Sequence, residues 1–328
     1  MDLNVSSALR GDFAGAFTDG DNSHILATDS QKNTVFAFAR DGISTPEEFG
    51  LRLARHFAGS YDWITGARIG IESFGWDRIA VGGQPHDHAF RRAGGEVRTA
   101  VVTADGDDLH VVAGLSDLVV LKTTGSEFWG FPRDAYTTLP ETRERILATA
   151  VTARWRYTRT DLDFAAVYDS VRTTMLETFA SLHSLALQQS QYAMATAVLE
   201  RHPDVAEVRM SMPNKHHFLQ DLSAFGLDNP DVVYHADDRP YGLIEGTVLR
   251  DDVPAAEVAW EGTPASSDRP PRSVDQGCRI VRPPAPDLAQ EDGVRRTPDR
   301  RWAPRLRSAG FSWSRPGSPA PVSQDGHR

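Results

Sequence analysis

The order in which hydrophobic periods change along the chain constrains its fold more than any other feature. Residues 1–260 show strand-like alternation, then two helical stretches, then more alternation, and the same order returns in the second half. Alternation with a period of two indicates strands with one buried face, whereas apolar spacings of three and four indicate amphipathic helices. A chain that repeats this order predicts an α+β fold built from a duplicated unit.

The periodic segments give specific element predictions. A proline and two acids follow Thr45, which is typical of a capped helix start. Helices are predicted at Thr28–Arg40, Glu47–Phe57, Phe164–Phe179 and about Leu185–Arg201. Strands are predicted at Leu3–Leu9, Trp63–Phe74, Glu96–Thr103, Leu109–Ala113, Leu118–Thr123, Ala148–Tyr157, Val205–Met212, His216–Leu222 and Leu243–Leu249.

Composition separates the body from the tail and excludes several classes of partner. Residues 261–328 hold 11 of the 20 prolines and no sustained period, which predicts a disordered tail. The net charge of -10 argues against nucleic acid and against an anionic membrane surface. No apolar stretch is long enough to span a membrane and no secretory signal opens the chain, so a cytoplasmic protein is expected. The single cysteine, Cys278, excludes an internal disulfide framework.

A dense polar run between two strand-like segments is the first candidate site. Pro213-Asn214-Lys215-His216-His217 interrupts the alternation between Val205–Met212 and the next strand. Amide, ammonium and imidazole groups in such a place are expected to face a cavity, a partner chain or a ligand, because burying them without partners is costly. The run is therefore a candidate site.

Metal and nucleotide chemistry have weaker support. His86-Asp87-His88 would place two imidazoles on one face of a strand, as a zinc site requires, but Gly82-Gly83-Gln84-Pro85 before it predicts a loop and no third ligand lies nearby. His216 and His217 would point to opposite faces of a strand and could not chelate one ion together. No phosphate-binding loop, nucleophile elbow or dinucleotide fingerprint is present, so no metal and no organic cofactor is predicted.

Four further segments are ambiguous when each is taken alone. Thr28-Asp29 at a helix start could be an ordinary cap, and Arg145 lies in a charged stretch that could be a solvated helix face. Leu187-Gln188-Gln189 begins another helix, and the aromatic cluster around Phe128 could be core packing. Each of the four therefore has a purely structural explanation.

Taken together, these segments resemble the urate oxidase (uricase) family in its order and spacing over nearly all of residues 1–260. The similar motifs are Ala27-Thr28-Asp29-Ser30-Gln31-Lys32-Asn33-Thr34, Thr124-Gly125-Ser126-Glu127-Phe128-Trp129-Gly130-Phe131-Pro132-Arg133-Asp134, Tyr136-Thr137-Thr138-Leu139 and Met212-Pro213-Asn214-Lys215-His216-His217-Phe218. The resemblance implies two tandem tunnelling-fold (T-fold) domains, at residues 1–135 and 136–260, with antiparallel sheets and helix pairs on one face. It also implies a homotetramer with sites between subunits.

The family's reaction oxidises urate with O2 and water to 5-hydroxyisourate and H2O2, in purine catabolism, without a metal or organic cofactor. An electron-rich urate anion can itself donate electrons to O2, so the protein is required to bind, deprotonate and orient it. The partners that the resemblance implies are therefore urate, O2 and further copies of the chain.

The resemblance also assigns roles by position. Arg145 and Gln188 would grip the planar urate, Phe128 would stack on its ring, and the backbone amides of Leu187 and of Asp29 from a neighbouring subunit would bind it. Three further residues would act on oxygen and protons: Asn214 would hold O2 or water above the ring, and Thr28 and His216 would form a proton relay, with Thr28 also contacting urate.

Two departures from the family pattern keep alternatives open. The family's relay includes a lysine on a first strand, and Met1–Val5 resembles the second strand, so that strand and its lysine are expected to be missing from residues 1–328. The proline-rich tail, without a Ser-Lys-Leu end, is also atypical. A misplaced start codon and a frameshift, or a decaying gene, would explain both. The competing hypotheses are a catalytically impaired urate-binding or scaffold homologue, and a metal-dependent purine hydrolase using His86, His88 and His216.

Overall fold

The computed structural model describes residues 1–237, 239–262 and 278–281, which belong to one compact unit. Its helices are α1 (Ala14–Thr18), α2 (Thr28–Arg40), α3 (Pro46–Gly59), α4 (Phe164–Ser181) and α5 (Leu187–Arg201), with short 3-10 turns at Ser223–Phe225 and Glu257–Ala259. Its strands are β1 (Asp2–Gly11), β2 (Ile64–Phe74), β3 (Trp76–Val81), β4 (Gln84–Arg92), β5 (Val97–Asp105), β6 (Asp108–Lys122), β7 (Leu147–Tyr157), β8 (Val205–Pro213), β9 (His216–Leu219), β10 (Tyr234–Asp237), β11 (Leu243–Leu249) and β12 (Cys278–Val281).

Eight of these strands form one antiparallel sheet in the order β11-β8-β7-β6-β5-β2-β1-β12. A separate hairpin, β3-β4, lies between β2 and β5 in the chain, and a second, β9-β10, lies between β8 and β11. Apart from the short helix α1 and the additional strand β6 in the first half, each half therefore runs strand, helix pair, strand, hairpin, strand. This order is the duplicated α+β pattern that the hydrophobic periods predict.

The helix pairs cover one face of this sheet and share one core. Alternate residues of the strands point toward the helices, as Val111, Ala113 and Leu115 do on β6, and Trp155 on β7 is fully buried among them. Helix α3 packs on β2 and β5, whereas α5 packs on β8 and β11. None of the helices in the described part of the chain is long and apolar enough to cross a membrane.

The opposite face of the sheet carries the segment that follows β11. Val112, which points away from the helices, packs against Ala259 and Trp260. The Trp260 indole donates to Glu207 on β8 at 3.1 Å, and Arg209 lies over the indole ring at 4.1 Å. Residues 250–262 therefore lie across the sheet on the face without helices.

The strand predictions need three corrections. Leu109–Ala113 and Leu118–Thr123 are parts of the single strand β6, which stays continuous because a bulge places Asp117 at a positive φ of 60°. The predicted loop around Gly82-Gly83 is the tight turn of the β3-β4 hairpin, with both glycines at positive φ. The strand that begins at His216 ends at Leu219 rather than Leu222.

The predicted tail lies mostly outside the described residues. Within 261–328 the structure describes residues 261–262 and the backbone of β12, whose residues pair with β1 from Asp2↔Val281 to Val5↔Cys278. The disorder predicted for the rest of the tail falls on residues that are not described.

Candidate active site

The first turn of α5 presents free backbone donors. The first amide that the helix itself satisfies is that of Ser190, which donates to Ala186 O at 3.2 Å, so the amides of Leu187, Gln188 and Gln189 have no partner within the helix. The Leu187 side chain is buried in the core, whereas Gln188 is exposed on the same turn. Because these amides lie at the positive end of the helix dipole, they favour an anion.

A guanidinium lies beside an aromatic ring next to this turn. Arg145 Cζ lies 5.2 Å from the centre of the Phe128 ring. Arg145 is half-buried, and its Nε atom is buried without a hydrogen-bond partner. Burial lowers the pKa of Arg145, because desolvation disfavours its charged form. A planar anion that stacks on Phe128 would supply the acceptor that this guanidinium lacks.

The backbone segments that carry Phe128 and Arg145 pair with each other. Phe128 and Thr142 exchange backbone hydrogen bonds of 2.8 and 3.0 Å, and Arg145 N donates to Ser126 O at 2.9 Å. The sequence-based interpretation of Arg145 as part of a charged helical stretch is therefore wrong. Pairing with the Ser126–Phe128 segment holds Thr142 and Arg145 in place, with a bend at residues 143–144 between them, ahead of β7.

Ser184 joins this pair of segments to the start of α5. Its backbone carbonyl accepts from Glu127 N at 2.7 Å, and its amide donates to Gly125 O at 2.9 Å. Only two residues separate Ser184 from Leu187. The structure thus brings the segments of Phe128, Arg145, Leu187 and Gln188 to one junction, while their roles toward urate stay predictions.

Asn214 and His216 follow β8 along the start of β7. Asn214 forms a bridge with Thr149 and donates its amide to Gly242 O at 2.9 Å, while Lys215 N donates to Ala148 O at 3.0 Å. The His216 ring stacks against Phe218, two residues on, at 5.7 Å, whereas His217 Nδ1 lies 3.1 Å from Lys215 O. The polar run therefore lies at the same end of β7 that Arg145 precedes.

Thr28 and Asp29 lie elsewhere in the chain. They open α2, where Ala27 is the N-cap and no side chain caps the helix, so the ordinary capping role of Thr28 is not observed. Both residues are exposed, and Asp29 accepts from Asn33 at 3.0 Å. The α2 side chain Gln31 contacts Ser7 on β1. Four strands separate β1 from β8 in the sheet, roughly 24 Å at the usual strand spacing.

Several residues that support the junction were not identified from the sequence. Phe131 stacks on Phe128 with ring centres 4.9 Å apart, so it backs one face of that ring. Glu127 accepts from His183 at 2.7 Å and from the Trp129 indole at 2.5 Å, and these two hydrogen bonds, His183 first, lower the pKa of Glu127. The aromatic residues of the Phe128 motif could have indicated stacked rings, but the sequence does not show which ring faces the ligand and which one packs behind it.

The two histidines of the metal hypothesis lie on an exposed hairpin. His86 and His88 are in β4, with ring centres 4.5 Å apart, and His88 N donates to His86 Nδ1 at 3.3 Å. Among the described residues no group of three His, Cys, Asp or Glu side chains is placed to hold a metal ion. His216 lies on β9, in the other hairpin. The described geometry gives the metal-dependent hydrolase hypothesis no third ligand.

Comparison with known proteins identifies relatives over most of the chain. The sequence model of the uricase family matches residues 3–103 and 111–245. A uricase from Arthrobacter globiformis is 59% identical over 260 residues, which cover 79% of this chain and 85% of that protein. A uricase from Dictyostelium discoideum is 37% identical over 254 residues, covering 76% of this chain and 88% of its own length.

Solved structures agree with the sequence comparisons. The crystal structure of the Arthrobacter globiformis uricase matches with a TM-score of 0.74 over 77% of this chain and 87% of that one. A uricase from Bacillus fastidious, 28% identical, matches with a TM-score of 0.68 over 75% and 81%. These matches confirm the predicted α+β class with tandem T-fold domains, while the boundary between residues 135 and 136 stays a prediction. From its family match, its relatives and its fold, the chain belongs to the uricase family.

Proposed function

We infer that the protein is a urate oxidase, which converts urate, O2 and H2O to 5-hydroxyisourate and H2O2. The observation that carries this inference is the junction of Phe128, Arg145 and the first turn of α5 in a chain of the uricase family. A ring, a guanidinium and free amides at one place suit a flat, oxygen-rich anion. Urate has that form.

The described residues divide the work between binding and proton transfer. Arg145 and Gln188 would bind the polar edges of urate, Phe128 would stack on its ring, and Leu187 would donate its backbone amide. Asn214 would hold O2 or the attacking water above the ring. Holding both reactants in this way makes their reaction effectively unimolecular. Such positioning is a large part of the rate enhancement that an enzyme without a cofactor can provide.

Thr28 and His216 would carry protons in this reaction. Urate gives up two electrons and two protons to O2, which becomes H2O2, and water then adds across the oxidised carbon–nitrogen bond, its hydroxide to carbon and its proton to nitrogen, to give 5-hydroxyisourate. A threonine hydroxyl is too weakly acidic to act alone and needs an imidazole as partner. Asp29 would supply its backbone amide at the N-terminus of α2, whose first amides have no partner within the helix.

The separation of Thr28 and Asp29 from Arg145 supports a site shared between subunits. Within one chain three strands of the sheet separate β1, which α2 contacts, from β7, which Arg145 precedes, so a second copy would have to bring its own α2 to the Arg145 junction. We propose a homotetramer with sites at its subunit interfaces, located in the cytoplasm. Light scattering of the purified protein should give four times the 36.1 kDa chain mass; a monomer that turns over urate would contradict the shared site.

The function is tested by following both substrates and both products. Purified protein with urate should consume O2 and bleach the ultraviolet absorbance of urate, with one H2O2 formed per O2 consumed. The variant Arg145→Met serves as the matched inactive control, because it removes the guanidinium and keeps most of the side-chain volume. If the folded tetramer binds urate but shows no turnover above that control, the protein is a urate-binding homologue and not an oxidase.

A further inference from the structure

Lys122 ends β6 with an ammonium group that points at the ends of two helices. Its Nζ donates to Leu182 O at 2.5 Å, to Ser184 Oγ at 2.6 Å and to Phe179 O at 3.4 Å. The group is half-buried, and desolvation lowers the pKa of Lys122. All three of its recorded acceptors are neutral oxygens, two of them at the carbonyl end of α4, where the helix dipole favours a cation.

Ser184 connects this ammonium to α5. The Ser184 side chain is fully buried, and its Oγ lies 2.6 Å from Oγ of Ser190, which is also fully buried. Ser190 is on the first turn of α5, next to Gln188 and Gln189, and its hydroxyl donates back to Ala186 O at 3.4 Å. A continuous hydrogen-bonded chain therefore runs from Lys122 through Ser184 to the turn that presents the free amides.

The backbone of Ser184 connects the same ammonium to the stacking ring and to the guanidinium. Ser184 bonds with Gly125 and Glu127 on either side of Ser126, and Ser126 O accepts from Arg145 N. The segments that carry Phe128 and the α5 amides thus hydrogen-bond to Ser184, and the segment that carries Arg145 bonds to Ser126, which lies between the two backbone partners of Ser184. Lys122 is the only charged side chain recorded on Ser184 within the described residues.

We propose that Lys122 is a positioning residue of the urate site, which holds Ser184 so that the Phe128 ring, the Arg145 guanidinium and the α5 amides face one another. The inference rests on the proposed function and extends it to a residue that does not contact urate. Apart from Lys122, the turn at 182–186 and the Phe128 segment are joined by backbone hydrogen bonds and by the exposed His183–Glu127 pair.

The chemistry of the site explains why a lysine is needed here. An ammonium is a compact charge with three donors in a tetrahedral arrangement, which suits three acceptors from two chain segments. An arginine presents a flat, wider fork and does not fit the same acceptors. A methionine keeps the length and apolar stem of the side chain but leaves Leu182 O and the Ser184 hydroxyl without their donor.

The test compares Lys122→Met with wild type in steady-state oxidation of urate and in calorimetric binding of xanthine, a planar purine. The matched control is Arg201→Met, which removes an exposed cation at the far end of the same helix pair, where Arg201 pairs with Glu177 at 3.0 Å. We expect Lys122→Met to lower kcat/KM by about tenfold or more, mainly through KM, and to weaken xanthine binding equally, since a lost charge-assisted hydrogen bond is worth about one to two powers of ten. Lys122→Arg should not restore either value, and Arg201→Met should keep both within about twofold.

A purely structural Lys122 would give a different result. In that case Lys122→Met would lower the melting temperature but leave kcat/KM and xanthine affinity at wild-type values well below that temperature, and the inference would be overturned. Should Lys122→Met fail to fold, Ser184→Ala removes the next member of the hydrogen-bonded chain and is expected to raise KM in the same way; unchanged KM there also overturns it. If the proposed function is wrong, wild-type protein will not oxidise urate. In that case the comparison of xanthine binding by wild type and Lys122→Met still tests the role of Lys122.

Discussion

The surroundings of Arg145 in the structure show more about its role than its residue type does. Resemblance assigned it to urate, but its charged neighbours suggested a solvated helix face. The structure places it in a non-helical segment paired with Ser126, with a buried Nε that has no hydrogen-bond partner. A guanidinium left in this state is costly unless a ligand completes its hydrogen bonds. Because these hydrogen bonds are unmade in the free protein, binding of an anion is favoured.

The fork of Arg145 should matter more than its charge. Lysine at this position keeps the cation but loses the two parallel donors and most contact with the Phe128 ring. We expect Arg145→Lys to lower kcat/KM by about 100-fold, the effect of one bidentate charge-assisted pair. Steady-state kinetics with a thermal-melting control measures this, and a loss below about threefold would show that only the charge is needed.

Two glycines in the sheet have no room for a side chain, but the obstacle differs between them. A Cβ on Gly114, in β6, would meet the backbone oxygen of Ala153 at 2.5 Å. A Cβ on Gly246, in β11, would meet Gln191 Oε1 at 2.5 Å. Backbone in the middle of a sheet cannot move aside, whereas the Gln191 side chain can rotate, although it would give up its bonds to Met210 O and Ile244 O.

Gly114→Ala should therefore destabilise the protein more than Gly246→Ala. We expect about 3 kcal/mol or more for the first and about 1–2 kcal/mol for the second, as measured by denaturant unfolding. Gln191→Ala should add little to Gly246→Ala, because the clash and the lost bonds involve the same side chain. Equal costs for the two glycine variants would contradict the distinction between backbone and side-chain obstacles.

The layer between the helices and β7 contains buried tyrosines that make stability depend on pH. Burial raises the pKa of Tyr157 and of Tyr168, in both cases as the largest cause. Above the ordinary value of 10.0 the unfolded chain ionises these groups while the folded chain keeps them protonated. The folded state then binds more protons, so the free energy of unfolding falls as pH rises past about 10.

Tyr168→Phe should make this alkaline loss shallower. The variant keeps the ring that lies 4.1 Å from the Arg98 guanidinium and removes the ionisable hydroxyl. Each such group contributes up to about 1.4 kcal/mol per pH unit, which unfolding curves between about pH 9 and pH 11 can resolve. Tyr136, which is 89% exposed, provides the control: Tyr136→Phe should leave the slope as in wild type.

The sequence was most informative about elements with a long uninterrupted period. Thr28–Arg40 was predicted with both bounds of α2, because a helix of that length repeats its apolar positions several times. The β3-β4 hairpin was missed because its strands are exposed on both sides and carry no alternation. β6 was divided because a bulge interrupts alternation without interrupting the ladder. Most site residues were identified through resemblance, whereas Lys122, Phe131 and Ser184 depend on contacts between segments distant in sequence.

At the scale of the whole molecule, the separation of Thr28 from Arg145 predicts complementation between inactive variants. Thr28→Ala and Arg145→Met should each be inactive alone. In tetramers assembled from an equal mixture, a shared site is intact when each chain supplies the group that the other lacks, so about a quarter of wild-type activity should return. A mixture of wild type with the double variant is the reference. No recovery in mixed tetramers would place both groups in one chain's site.

The long ladder between β6 and β7 predicts that the two halves stay associated when the covalent link between them is cut. Residues pair from Val112↔Arg156 to Lys122↔Leu147, while the connection around Arg133 and Tyr136 is exposed and contains no helix or strand. A protease that cuts after Arg133 would yield two fragments still held by this ladder and by the Phe128–Thr142 pairing. The protein thus offers a natural place to be split into halves that reassemble, or to be given new termini.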